Sequence, residues 1–114
     1  MLKKIYIVKK KEQFNDIIRT GKVIKNREFV LYYKENHLDF DRFGISVGTK
    51  LGNAVFRNEY KRKIRAIIYQ NKRNKQNNQK NKDFIIILRS SAKNATYQEL
   101  NSSYNELIQK GDRL

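Results

Sequence analysis

The sequence predicts an α+β fold, a two-layer α/β sandwich in which helices cover a small mixed sheet. Three observations lead there. Gly52 to Tyr69, GNAVFRNEYKRKIRAIIY, is amphipathic at helical spacing. Phe84 to Leu88, FIIIL, is a continuous apolar run of the kind a central strand buried on both faces requires. Short β-rich segments precede the first stretch and an amphipathic one follows the second. The order is therefore helix, two or three strands, helix, strand, helix.

The 114 residues suit one domain spanning 1–114 with a modest core. A net charge of +15 and a pI near 10.1 exceed what solubility needs. Such a surplus repels itself in a compact chain unless a polyanion offsets it. Nucleic acid is the leading partner class and an anionic membrane surface the second. A Lys/Asn-rich composition explains scattered lysines but not arginines gathered on one helix face. Cysteine is absent, which excludes disulfides and thiolate metal sites and suits a reducing cytoplasm, the expected location. MLKKIYIVKKKEQF has neither the apolar core nor the cleavage site of a secretion signal. No apolar run approaches the ~18 residues of a membrane span.

In chain order, Lys11 to Thr20 places Phe14, Ile17 and Ile18 on one side of a short helix, with Gly21 as its stop. Val23–Ile24 is a weak strand signal, and Phe29 to Tyr33, FVLYY, a clear one. Lys34 to Asp41 is polar and turn-forming, linking two antiparallel strands. Arg42 to Gly48 alternates, with Phe43, Ile45 and Val47 on one face and Gly44, Ser46 and Gly48 on the other. That second face is bare enough for another group to approach the backbone. Thr49 to Asn53 forms the loop into the central helix. Asn53 is a good N-cap, and Gly52 before it permits a sharp turn. Asn71 to Lys82 is a low-complexity basic linker. Thr96 and Glu99 form a capping box, after which Tyr97, Leu100, Tyr104, Leu107 and Ile108 trace the last helix.

The central helix is the principal candidate site. At about 100° per residue, Phe56, Tyr60, Ile64, Ile67 and Ile68 share an arc of roughly 120°. Arg57, Asn58, Lys61, Arg62 and Arg65 share the neighbouring arc of roughly 140°. Arginine stays charged and binds phosphate through two parallel hydrogen bonds, and an amide among cations can reach a sugar, base or phosphate. A solvated basic helix is the plain alternative. Phe14 and Tyr32 are a second candidate, able to stack single-stranded bases, although aromatics at such spacings usually belong to a core. The one histidine, His37, lies in a polar turn, and turn chemistry explains Asp39 and Asp41. No catalytic triad, zinc spacing or phosphate loop is present, so catalysis by the chain's own side chains is not expected.

The segment SVGTKLGNAVFRNEYKRKIR resembles the signature of the protein component of bacterial ribonuclease P. Its matching residues are Ser46, Val47, Lys50, Gly52 to Val55, Arg57, Asn58, Lys61, Arg62 and Arg65. The remaining elements fall in that family's order along nearly the whole chain. The resemblance implies a left-handed βαβ crossover and an accessory subunit bound to a large catalytic RNA. That RNA itself removes the 5′ leader of precursor tRNA, using Mg²⁺ bound by RNA and none dedicated to the protein. It implies that Arg57, Asn58, Lys61, Arg62 and Arg65 contact the catalytic RNA, with Lys50 and Asn53 as further contacts. Phe14 and Tyr32 would line a cleft for the leader, and no obligate protein partner is implied. Two departures are Glu59, where the family often has a basic residue, and Gly48–Thr49 in place of a common Ser-Lys pair. Glu59 is expected to pair with Lys63 at i+4. The competing readings are a ribosomal or other structural RNA-binding protein and, more weakly, a helix-turn-helix. The latter lacks a second helix close by.

Overall fold

The computed structural model describes residues 6–71 and 80–113. Its elements are β1 (Tyr6–Ile7), α1 (Lys11–Thr20), β2 (Lys22–Lys25), β3 (Phe29–Glu35), β4 (Arg42–Ser46), α2 (Ala54–Gln70), β5 (Lys82–Leu88) and α3 (Tyr97–Arg113). Single 3₁₀ turns occupy Thr49–Leu51 and Ser90–Ala92. The strands form one mixed sheet in the order β1-β4-β5-β3-β2.

The apolar run sits where its composition requires, with β5 in the middle. It pairs antiparallel with β3 and parallel with β4. Phe84, Ile86 and Leu88 point into the larger core, beneath α2 and α3, while Ile85 points into a smaller one beneath α1. A parallel neighbour cannot be reached by a tight turn, so the chain leaves β4, crosses through α2 and returns as β5. The turn at 34–41 is therefore not a hairpin. β3 and β4 do run in opposite directions, but β5 lies between them.

That insertion also joins two charged residues far apart in sequence. Arg42 and Asp83 are register partners at the open end of β4 and β5. The Arg42 guanidinium donates from Nε to Asp83 Oδ1 at 2.8 Å and from Nη2 to Oδ2 at 2.6 Å. Asn36 Nδ2 adds a third donor to Oδ1 at 2.9 Å. This hydrogen bonding raises the Arg42 pKa above its usual value against the opposing effect of partial burial. The Asp83 side chain is only 7% exposed. A buried charge that loses its partner costs about 3–5 kcal/mol, so the sheet end depends on this fork.

α1 and α3 form where the pattern placed them, and the capping box is present. Glu99 N donates to Thr96 Oγ1 at 3.1 Å, and Thr96 N to Glu99 Oε1 at 3.0 Å. The Thr96 amide, and after it the Thr96 hydroxyl, hold the Glu99 carboxyl below its ordinary pKa against some desolvation, with a smaller contribution from Arg27. β1 was not foreseen from the sequence, because two residues become a strand only by pairing with β4. Of the basic linker, residues 72–79 lie outside the described residues. Asn71 instead belongs to the end of α2, donating to Ile67 O at 2.8 Å and to Asn101 Oδ1 at 2.6 Å. Lys82 opens β5.

Gly21 and Gly44 act through space rather than dihedral freedom. Gly21 is extended, at φ −78° and ψ 167°, and a Cβ there would lie 2.5 Å from Ile17 O and 2.8 Å from Tyr33 O. At Gly44 the group approaching the bare strand face is the Phe14 ring. A Cβ would meet it at 2.9 Å and Ile85 Cδ1 at 2.7 Å. Gly111 differs, since a Cβ would make ordinary contact with Ile24 Cδ1 at 3.5 Å. Gly111→Ala should therefore raise stability by about 0.5–1 kcal/mol, removing helix-interior backbone entropy. Gly44→Ala should lower it by about 1–3 kcal/mol through overpacking. Urea denaturation of the two variants checks both signs.

Candidate nucleic-acid interface

α2 begins at Asn53, whose side chain accepts from Phe56 N at 2.9 Å and so caps the first turn. Gly52 is fully extended there, and a Cβ would strike the Phe56 ring at 2.7 Å. Tyr60, Ile64, Ile67 and Ile68 are buried against the sheet and α3, with Phe56 partly so. Ile64 and Ile67 are 0% exposed. Each such side chain contributes about 1.5–3 kcal/mol on burial, enough to fix the rotation of the helix. Polar clamps hold it as well. Tyr60 Oη donates to Lys93 O at 2.7 Å, Tyr97 Oη to Gln70 Oε1 at 2.8 Å, and Asn105 Nδ2 to Asn71 Oδ1 at 3.2 Å.

With that face anchored, Asn58, Arg62 and Arg65 are exposed and Arg57 and Lys61 half-buried. Among the described residues none of the four cations lies within ion-pairing distance of a carboxylate. Glu59 is instead taken up by Lys63 at 3.5 Å, and the Lys63 ammonium also stands 4.7 Å over the Tyr60 ring. Arg57 borders the apolar arc, and its Nε is buried without a hydrogen-bond partner. A buried donor left so costs about 1–3 kcal/mol, which an incoming acceptor would recover. Lys50 stands exposed in the 3₁₀ turn before the helix. Asn53 has one amide oxygen committed to the cap.

Phe14 and Tyr32 come together, but on the opposite side of the sheet from α2. Both are half-buried in the smaller core with Val8, Ile17, Ile18, Ile85 and Ile87. Strand alternation separates Tyr32 from Tyr33 as expected, and Tyr33 joins the larger core. The two candidate sites therefore lie on opposite faces of the sheet. α1 is held over its half of the sheet by Lys34, whose Nζ donates to Asp16 Oδ2 at 2.9 Å and to Thr20 Oγ1 at 3.0 Å. Beyond α1 the same sheet face is open, with Ser46, Ile87 and Val30 half-buried and Lys25 exposed. Sequence reasoning missed this strip because Val30 and Lys25 join it only through strand register.

His37 is an exposed turn residue with φ 58°, and Asp41 Oδ1 accepts from Lys82 N at 2.9 Å. Among the described residues no three His, Cys, Asp or Glu side chains are placed to hold a metal ion, and no helix is long and apolar enough to cross a membrane.

A strongly basic α+β sandwich that keeps a row of helix cations unpaired is a polyanion-binding protein. The model of the ribonuclease P family matches residues 2–112, and the chain belongs to that family. It is 40% identical over 107 residues to the ribonuclease P protein component of Streptococcus pyogenes serotype M5, covering 94% of this chain and 87% of the relative. It is 42% identical over 104 residues to that of Mycoplasma mycoides, covering 91% and 94%. Among solved structures, the Staphylococcus aureus RNase P protein superposes with a TM-score of 0.82 at 38% identity, covering 95% of this chain and 96% of that one. The Thermotoga maritima RNase P protein gives a TM-score of 0.79 at 27% identity, covering 90% and 94%.

Two outcomes follow from the geometry. Asn53→Asp keeps the cap and should leave thermal stability unchanged or slightly higher, since an acidic N-cap suits the helix dipole. It should weaken RNA binding in a filter assay if the amide contacts RNA. The Lys34 ammonium, and to a lesser degree Arg19, holds the Asp16 carboxyl below its ordinary 3.8 despite some desolvation. Because the folded value is depressed, the tie is complete above about pH 4 and is lost as pH falls through the lowered value. The stability advantage of wild type over Asp16→Asn, followed by urea denaturation across that range, should close on the acid side.

Proposed function

We infer that this chain is the protein component of ribonuclease P, the accessory subunit of a ribonucleoprotein endoribonuclease that matures tRNA 5′ ends. Residues 1–114 act as one RNA-binding unit in the cytoplasm. Arg57, Asn58, Lys61, Arg62 and Arg65 dock on the catalytic RNA, joined by Lys50 and Asn53. The open strip beside Phe14 and Tyr32 receives the single-stranded 5′ leader. The observation behind this reading is the unpaired cation row on α2. Packing fixes the helix that carries it, so little backbone entropy is left to lose on binding.

In this reading Mg²⁺ would be held by the RNA, where a metal ion could activate water and stabilise a leaving oxygen. The protein's part is charge placement. Arginines between RNA segments let like charges approach and displace condensed counterions. With five contacts at about −0.7 to −0.9 each, the logarithm of affinity should fall with the logarithm of salt at a slope of about −3.5 to −4.5. One leader base stacked on Phe14 or Tyr32 would add about 1–3 kcal/mol.

Reconstitution with a catalytic RNA at low Mg²⁺ tests the assignment. Wild type should rescue cleavage, whereas Arg62→Ala and Arg65→Ala should each need higher protein concentration and show shallower salt slopes. Equal rescue by all three would move the docking surface elsewhere. Cleavage of precursor tRNA by purified protein alone, or capture of ribosomal RNA instead of one large noncoding RNA, would overturn the division of labour.

A further inference from the structure

Several carboxylates of this basic chain are taken up by its own cations. Asp16, Glu35, Glu59, Asp83 and Asp112 each lie within 3.8 Å of a lysine or arginine. Glu28, Glu99 and Glu106 are arranged differently. They line an open cleft of about 440 Å³ between the β2–β3 turn and the first half of α3. Arg27 is the one cation in its lining; its side chain is 78% exposed, with Nε 3.7 Å from Glu28 Oε2. Glu106 has no ion pair among the described residues. Glu99 commits only Oε1 to the capping box. Three glutamates against one arginine make this cleft negative in a chain of net charge +15.

The walls of the cleft are fixed. Asn26 Oδ1 accepts from Glu28 N at 3.2 Å and from Phe29 N at 3.0 Å, while its Nδ2 donates to Ser103 O at 3.0 Å. The turn is thereby tied to α3. On the far side α3 presents Asn101 and Asn105 to Asn71 at the end of α2. At about 100° per residue, Glu99, Ser103 and Glu106 fall on the opposite side of the helix, away from the α2 cation row. Ser103 forms the floor. It is 6% exposed, and its Oγ is buried with no hydrogen-bond partner. A buried hydroxyl left so is unfavourable, and a ligand that donates to it removes that cost.

We propose that this cleft binds a linear aliphatic polyamine. Its ammonium groups lie beside Glu28, Glu99 and Glu106, and one N–H donates to Ser103 Oγ. Among the described residues no three acidic or histidine side chains are placed to hold a metal ion. Glu99 and Glu106 stand two helical turns apart, about 10.5 Å of rise. A compact divalent ion cannot be shared over that span, whereas ammonium groups separated by methylenes can. Nucleic acid is disfavoured as the occupant, because its phosphates would meet the glutamates. A polyamine seated here reverses the local sign of charge, so that this end of α3 no longer repels RNA. The proposal does not rest on the ribonuclease P assignment, and its test uses no RNA.

The full-length chain is dialysed to equilibrium against labelled spermidine. Binding should saturate at one molecule per chain, although the overall positive charge repels a polycation. Glu106→Gln removes an exposed carboxylate from the cleft and should weaken binding about ten-fold, the loss of one charge-assisted contact. Ser103→Ala should weaken it about five-fold, the loss of one neutral hydrogen bond. Glu59→Gln makes the same charge change outside the cleft and should match wild type. Butylamine, with one ammonium, should bind at least about ten-fold more weakly than spermidine. Mg²⁺ at equal ionic strength should not displace spermidine. Thermal melting of each variant establishes that it is folded.

Binding that does not saturate would overturn the proposal, as would equal losses for Glu106→Gln and Glu59→Gln, which would assign the effect to bulk charge. A folded Ser103→Ala protein that binds as wild type would overturn it too, since the unpartnered hydroxyl marks the site. Equal affinity for butylamine would make the cleft a single-ammonium site, and displacement by Mg²⁺ would make it an ion site. Either result excludes the polyamine.

Discussion

Burial of β5 on both faces is the constraint from which the rest of the architecture follows. An apolar strand with Ile85 pointing one way and Phe84, Ile86 and Leu88 the other must be covered twice. α2 and α3 provide one cover and α1 the other. Because β5 pairs parallel with β4, a long crossover is obligatory, and the crossover is the basic helix itself. The helix that carries the cations is thus also the cover of the larger core. Its docked face has no freedom to rotate without exposing Ile64 and Ile67.

The same arrangement explains why two kinds of surface coexist. On the α2 side the sheet is sealed, and the far side of the helix presents unpaired cations to solvent. On the α1 side the cover is one short helix, tied by Asp16 and Lys34, and part of the sheet floor stays accessible. Folded RNA suits the first surface, a convex row of guanidinium groups. A single strand suits the second, a shallow apolar trough with a cation at its margin. The sheet lies between the two surfaces.

Local chemistry was legible in the sequence and long-range pairing was not. Helix periodicity placed α1, α2 and α3, alternation assigned the faces of β3 and β4, and the pairs Thr96–Glu99 and Glu59–Lys63 were found where their spacing indicated. These signals act over a few residues. β1 escaped because nothing in Tyr6–Ile7 favours a strand until β4 lies alongside. The Arg42–Asp83 fork escaped because only the insertion of β5 brings those residues together. Of the candidate site, the α2 residues were legible because one helix face displays them all. The row containing Val30 and Lys25 was not, since its members come from four strands. Gly21 and Gly52 suggested a helix stop and a sharp turn and prove also to be places where another atom sits too close for a side chain, whereas at Gly44 the close approach expected of its bare strand face is made by Phe14.

The central position of a late strand has a consequence for biosynthesis. β3 and β4 leave the ribosome well before β5 and cannot form their sheet around a strand not yet made. α2 emerges in that interval with its isoleucines uncovered and its arginines already charged. Contacts this distant in sequence delay folding until most of the chain is available. The net charge of +15 meanwhile opposes association between neighbouring unfolded chains.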